Sequence, residues 1–568
     1  MHSGQEGFLL LVLLGGLLAL PAAAAGETLY NGIVLPEPWP PKYDRDPREP
    51  MPVPYLEKPP AVIPIDVGRQ LLVDDFLVQE TSLQRTFHRP ETCKDNPILK
   101  PDQPWEDKSR GPFAAPFSGG VWFDPADRLF KIWYCGGYLS ATCYATSKDG
   151  IHWDKPKLDV EPETNVVIRP PGHDTTAVWL DPDTKDPQQR FRYFATERGE
   201  AKGWNLVTRT SPDGIHWTAP LARQIIAGDR TTAFYNPFRR VWVISERTSW
   251  ARRGRAYTED PDPTAVVTQV ARARVPWVAG EKLDPHNPNP QWQGIAPQLY
   301  NLDALAYESL MLGFFVIWQG PENGDCTRLK RQKRNEILLG FTRDGFHWYR
   351  PDRRRFLEVN ETEGAWNSGN VQSVCGGCLV VGDRLFIYFT GRAKPTREWD
   401  ADAATGLAFL RRDGFASMDA DAAGGSLTTR SVTFKGGHLF VNVACAKREG
   451  EAPAEPRRRE GEAPAEPSRG ELRAEVLDLD GKPIAPFTAE NCSAVSSDAT
   501  RVAIAWKGAE DLSAVSGKPV RLRFHLKSGS LYAFWVSPDR SGASHGYVGG
   551  GGPGFTGPVD TVGEPASR

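Results

Sequence analysis

One seven-residue phrase returns along this chain, and its spacing limits the fold more than any other feature. It reads Ser147-Lys-Asp-Gly-Ile-His-Trp153, Ser211-Pro-Asp-Gly-Ile-His-Trp217 and Thr342-Arg-Asp-Gly-Phe-His-Trp348, with a weaker copy at Arg411-Arg-Asp-Gly-Phe-Ala-Ser417. Successive aspartates, at 149, 213, 344 and 413, stand about 65 residues apart, except in the middle, where the gap doubles. The doubled gap predicts a degenerate copy between Asp213 and Asp344, and five units in all.

Each unit carries the same run of short apolar strands ahead of the phrase. In the first these are 120–124, 129–135 and 142–147; the second repeats them at 177–181, 191–196 and 206–210. Three or four antiparallel strands per unit, five times over, predict an all-β fold, a five-bladed β-propeller over 65–424. The 54 Gly, 49 Pro, 18 Trp and 26 Phe suit tight turns and aromatic strands, and exclude a mainly helical protein or a transporter. The phrase itself reads as structure. Asp-Gly makes a tight turn, with the carboxylate capping backbone N–H groups and Gly at positive φ, and the Trp packs between blades. His152, His216 and His347, one per blade at the periphery, stand too far apart to cooperate.

The remaining segments fall around this body. Residues 1–25 carry an apolar run ending in small residues, the pattern of a secretory signal peptide, so a secreted or periplasmic location is expected. Residues 26–64 are proline-rich and read as an extended leader on the surface. Residues 425–548 alternate apolar and polar and predict a C-terminal β-sandwich. It is interrupted at 447–470 by a doubled charged, Pro-rich stretch expected to be disordered. Residues 549–568 read as a flexible tail. A net charge of -3 offers no footprint for nucleic acid and no polybasic arm for a membrane. Of the eight cysteines, Cys135 and Cys143 could pair across strands; Cys375-Gly-Gly-Cys378 has the spacing of a redox or half-zinc motif but lies in a strand.

Five repeats ending in these turns, followed by a sandwich, resemble the five-bladed propeller superfamily of glycoside hydrolase families 32, 43, 62 and 68. The resemblance implies a central funnel with three carboxylates from different blades, one a nucleophile or base, one a general acid and one orienting the substrate. The W-x-N-D-P-N-G, R-D-P and E-C motifs of the invertase branch are absent. Asp124-Pro125 looks like a fragment of the first, but Asp181-Pro182 and Asn236-Pro237 recur at the same place, which marks a hairpin turn.

Aligning the units yields the site candidates. Before the innermost strand stand His173-Asp174-Thr-Thr176 in the second unit and Gly228-Asp229-Arg230-Thr-Thr232 in the third; the fourth offers Asp303 and Glu308. The fifth has Trp366 and Asn367, suited to stacking on a sugar and bonding its hydroxyls; the first has Glu106 in a loop. Asp174, Asp229 and Glu308 are the expected catalytic set, with Glu308 as proton donor. His173, Arg230, Asp303, Trp366 and Asn367 are the expected substrate contacts. No metal ligands or cofactor are expected, although a structural calcium ion in the channel stays open, and the expected partner is a carbohydrate. The functional expectation is a secreted glycoside hydrolase; a non-catalytic carbohydrate-binding propeller and a cell-surface interaction scaffold are the alternatives.

Overall fold

The computed structural model describes residues 26–567, apart from 109–110, 171, 200–202, 394, 396–401 and 446–469. The expected signal peptide and, but for Gly470, the expected disordered insert lie outside the described residues.

The chain is mostly β, in many small sheets. Five four-stranded sheets each gather one repeat unit. The first runs Ala114–Asp124, Leu129–Gly136, Ala141–Ser147, Val166–Ile168, and the second His173–Leu180, Phe191–Arg198, Trp204–Ser211, Ala222–Ile226. The third, Thr232–Asn236, Val241–Thr248, Gly254–Asp260 and Val275–Ala279, is the unit without a recognisable phrase. A helix, Ala265–Ala273, stands between its last two strands and buries Val266, Val267 and Val270. The fourth is built on Gln298–Glu308, Leu310–Trp318 and Asn335–Thr342; the fifth on Asn370–Val381, Arg384–Arg392 and Ala403–Arg411. The first strands of the five sheets touch in a closed circuit, the fifth returning to the first. These inner strands are buried on both faces, apolar toward their ends and polar at their beginnings, as in His173-Asp-Thr-Thr176 and Asn370-Val-Gln-Ser373.

Two segments remote in sequence complete the circuit. Glu91–Thr92 is the outer strand of the fifth sheet, paired with Ala408 and Phe409. Tyr547–Val548 pairs with the end of the fourth sheet's inner strand. The chain then lies across the strand ends of the first and fifth sheets, where Phe123 N–H donates to Gly550 O and Val380 N–H to Gly551 O, each at 2.9 Å. Phe555 and Asp560 are buried beyond it. The segment expected to be a flexible tail is therefore packed structure as far as it is described.

The repeated turns lock four of the five sheets, all but the third, to the one before. In the first copy Asp149 Oδ1 accepts from the N–H groups of Ile151 and His152, and its Oδ2 pairs with His152 Nδ1 at 2.7 Å. Asp213–His216 and Asp344–His347 repeat the arrangement. Into each turn reaches an aromatic donor from the preceding sheet. Tyr388 Oη of the fifth sheet donates to Gly150 O, Trp133 Nε1 of the first to Gly214 O, and Trp277 Nε1 of the third to Phe346 O, at 2.7–2.8 Å. In the weak copy Tyr307 Oη of the fourth sheet donates to Asp413 Oδ1 at 2.7 Å.

Two further sheets share a second apolar core. One contains His438–Ala444, Asp498–Ala503 and Gly529–Ser537; the other Glu471–Leu477, Arg521–Lys527 and Gly425–Thr429. Both recruit residues ahead of the repeats: Gln70–Leu71 and Gln84–Phe87 join the first, Val78–Thr81 the second. Leu29, Ile33, Leu35, Val53 and Tyr55 are buried in the same core. The segment read as a surface leader thus supplies part of that core's wall. It is irregular because prolines deny it ladder hydrogen bonds, yet its apolar side chains still leave water.

Between the two bodies lies a buried ionic knot, and Glu308 is in it. Its carboxylate stands 3.5 Å from Arg69 and 3.3 Å from Arg412, and Ser544 Oγ donates to it at 2.7 Å. Asp413 pairs with Arg69 at 2.9 Å, and Asp560 with Arg412 at 3.3 Å. Burial pushes the Glu308 carboxyl up; Asp413 is held down, because Arg69, Arg412, Asn442 and Tyr307 outweigh its burial. With a strand rise of about 3.3 Å per residue, Glu308 lies about 16 Å beyond Asp303 along the same strand. The expected proton donor is a structural ion.

Two stability predictions follow from these contacts. Gly214 has φ +81°, and a Cβ there would meet Trp133 Cζ2 at 2.3 Å. Gly214→Ala should cost about 2–4 kcal/mol in a urea melt, from left-handed strain and overpacking; an unchanged midpoint would mean the latch carries no load. In the knot, Arg412→Met leaves three carboxylates with one arginine and should cost about 3–5 kcal/mol. Glu308→Gln evens the charges and should cost clearly less. The reverse order would refute this account of the knot.

Candidate functional site

All five inner strands begin at the same end of the circuit, and the polar residues of that end interlock. Thr175 Oγ1 and Thr196 Oγ1 both donate to Asp229 O, at 3.3 and 2.7 Å, tying the second unit to the third; Thr232 Oγ1 donates to Leu302 O at 2.6 Å, tying the third to the fourth. Thr175 and Thr232 follow the two aspartates that the unit alignment singles out, and Thr196 stands on the neighbouring strand of the second sheet, so the segments that furnish the site also fasten it.

Arg230 is the centre. Fully buried, it donates to Asp174 Oδ1 at 3.1 Å, Asn301 Oδ1 at 3.3 Å and Ser373 Oγ at 2.6 Å, and its guanidinium lies 3.8 Å from the Phe117 ring centroid. Asn301 in turn donates to Asp303 Oδ2 at 3.0 Å, which also accepts from Val374 N–H at 3.0 Å. Side chains from all five sheets therefore converge here. The backbone is strained at the same place: Phe117, Ser118 and Ser373 have φ of 47°, 71° and 56°, where their strands bulge. Each such residue costs about 1–3 kcal/mol, and such residues gather where a site over-determines its geometry.

The three carboxylates differ in state. Burial pushes Asp174 up to about 6 against the opposing pull of Arg230, and the Asp229 charge adds to the rise. Asp303 is likewise pushed up to about 6 by burial, with Ser118, Arg230 and Val374 only partly offsetting it. Asp229 is also raised by burial, but Arg247, Arg253, Arg230 and Lys333 outweigh that and hold it below the usual range. Its side chain is the most open of the three, at 34% exposure, against 6% for Asp174.

The structure thus brings together Asp174, Asp229, Arg230 and Asp303 and separates the other candidates from them. His173 is wholly buried, its ring against Thr142 at 3.4 Å, and burial lowers it to about 4; it is a neutral wall residue. Trp366 packs over Gly391 and Gly406 beside Phe389, so its stacking surface is spent on protein, and Asn367 is buried next to it. Glu106, the first unit's acid, binds Tyr134 Oη at 2.6 Å and Lys155 at 2.8 Å within the outer wall.

Sequence reasoning missed the cationic half of the site. Lys333 Nζ donates to Tyr300 Oη at 3.1 Å; Arg253 lies 4.6 Å and Arg230 5.7 Å from that ring centroid. Burial raises the Tyr300 phenol, but the three cations outweigh it, and the net shift is downward. Arg247 stands 3.5 Å from Asp229, and Arg255 donates to Arg230 O. The signal was the density of arginine in the hairpin 247–255.

Among the described residues no three His, Cys, Asp or Glu side chains group as metal ligands, and no helix is long and apolar enough to cross a membrane. All eight cysteines are free and buried; Cys135 stands opposite Thr142 in the ladder, not Cys143. Burial raises the Cys375 and Cys378 thiols, which argues against redox use.

No family model and no curated protein matches the chain. Among solved structures it is similar to a fructofuranosidase from Schwanniomyces occidentalis complexed with fructosylnystose, with 11% identity over 82% of this chain and 98% of that one, and a TM-score of 0.33. A thermostable family-43 glycoside hydrolase aligns at 12% identity over 54% and 95% of the two chains, with a TM-score of 0.34. A family-43 endo-arabinanase from Bacillus licheniformis aligns at 8% over 55% and 99%, with a TM-score of 0.32. Scores this low place no residue of the site.

Proposed function

We propose that this protein is a secreted glycoside hydrolase, a five-bladed propeller with a C-terminal sandwich, cleaving an oligo- or polysaccharide at the open end of its channel. The observation that carries the reading is the convergence of three carboxylates from three sheets in two environments, Asp174 and Asp303 buried and Asp229 partly open among cations. Glycoside cleavage needs a proton donor for the leaving oxygen and an ionised carboxylate that activates water or attacks carbon. Asp174, pushed up to about 6, takes the donor role first expected of Glu308. Asp229, open and held ionised, is the base or nucleophile. Asp303 and Asn301 brace Arg230, which keeps the two in register.

A carbohydrate-binding propeller without turnover is the second reading. It is favoured by the first sheet, whose channel end is Ala114-Ala-Pro-Phe-Ser118 and offers no acid.

A glycan hydrolysis screen on the purified protein is the direct test. Once a substrate is found, Asp229→Asn should lower kcat by about 10²–10⁴ with a melting temperature close to that of the parent, and Asp174→Asn should lower kcat as much but also lower the melting temperature, because it breaks the buried pair with Arg230. Near-normal turnover in both would defeat the assignment.

The pH profile is a separate check. The donor must stay protonated, so kcat/KM should fall as pH rises through about 6, tracking Asp174. The base must stay ionised, so the acid limb should lie below the ordinary carboxylate range, tracking Asp229. A profile flat from pH 5 to 8 would contradict these roles.

A further inference from the structure

At the end of the inner strands opposite the site, the prolines of three hairpin turns, Pro125, Pro182 and Pro237, stand around a cavity of about 160 Å³. Trp122, Phe123, Trp179, Tyr235 and Leu305 form the buried part of its wall, and Tyr547 and Gly557 belong to the partly exposed part. The cavity is built by repetition: Trp122 and Trp179 each stand three residues before their proline, and Tyr235 two before its own. Each indole spends its N–H on the inner strand of the next sheet, Trp122 Nε1 donating to Val178 O at 2.6 Å and Trp179 Nε1 to Ala233 O at 3.2 Å. Tyr235 Oη donates to Asp183, Tyr547 Oη to Pro237 O at 3.5 Å, and Asp181 is paired with Arg192 at 3.0 Å. Every polar side chain of the wall thus has its partner inside the protein. What remains for a ligand is apolar surface.

We propose that this cavity binds one small uncharged aromatic ring, of the size of a phenol or an indole. A sugar would leave its hydrogen bonds to water and find no side chain here to replace them. A cluster of waters would face the same shortage, whereas a dry apolar cavity of about 150 Å³ is room enough for benzene. The aromatic side chains of the wall favour an aromatic ring over a saturated one of equal size, through edge and face contacts that add to the area buried. Gly557 keeps the way in clear. A Cβ there would meet nothing within 4 Å, and the backbone at Gly557 is not left-handed, so its own conformation does not call for glycine. The inference is independent of the sugar chemistry proposed for the other end of the strands.

Isothermal titration of the full-length protein would test it, with p-cresol, indole, cyclohexanol and glucose as probes. At least one of p-cresol and indole should bind one to one with a Kd of about 1 mM or tighter. Cyclohexanol should bind severalfold more weakly than that ring, and glucose not measurably. Gly557→Leu, where the added side chain has room, and Ala306→Leu, which thickens the cavity wall, should each weaken the ring about tenfold or more. Because both fill space, neither should lower the melting temperature. No binding of either aromatic probe, equal affinity for glucose, or binding that survives both substitutions would overturn the proposal. So would a dimer of the protein that both substitutions dissociate, since a side chain of a second copy would then be the occupant.

Discussion

The structure depends on a hydrogen bond made four times: an aromatic donor from one sheet reaching the Asp-Gly turn of the next. Neighbouring blade-like sheets meet through side chains, so apolar contact alone would let them slide. A tryptophan or tyrosine donor aimed at a fixed acceptor removes that freedom and pays a polar group's cost of burial in the same stroke. The aspartate of the turn, bound to two N–H groups and a histidine, holds the acceptor still. That rigidity sets the tilt of the inner strands and hence the spacing of the residues at their open ends.

The two ends of the inner strands show two uses of buried charge. At the closed end, two arginines and three acids bind the sheets' circuit to the second core, and all are sealed from water. At the other end Arg230 joins Asp174 to Asn301 and Ser373, burial raises two of the three acids, and the backbone is bent at Phe117, Ser118 and Ser373. One cluster ties two bodies together; the other sits where the backbone is strained, as candidate sites do.

Much of this was legible in the sequence because repetition converts position into geometry. Asp174 and Asp229 align between units, and the circuit brings them to one place. Glu308 misled because it shares a strand with Asp303, and one unit alone does not say which end of a strand faces the opening. Trp366 misled because an aromatic next to asparagine suits a sugar and a blade face equally. The arginines of 247–255 were visible as composition, but which of them point inward depends on a ladder register that slips between Arg255 and Ala256. The bulges were marked only by the glycine pairs Gly119-Gly120 and Gly376-Gly377 inside their strands, and nothing marked Phe117, Ser118 and Ser373, which hold positive φ without being glycine.

The segment crossing the strand ends at Gly549–Gly551 gives the molecule an order of assembly. The inner strands it bridges, in the first, fourth and fifth sheets, are made hundreds of residues earlier, and the fifth sheet's outer strand, Glu91–Thr92, is older still. Closing the circuit therefore joins segments far apart along the chain, a topology of long loops whose closure entropy opposes contact until late in folding. Until residues past 547 emerge, Phe123 and Val380 lack the carbonyls their N–H groups bond in the finished fold, so the circuit is completed only when the chain is nearly all made.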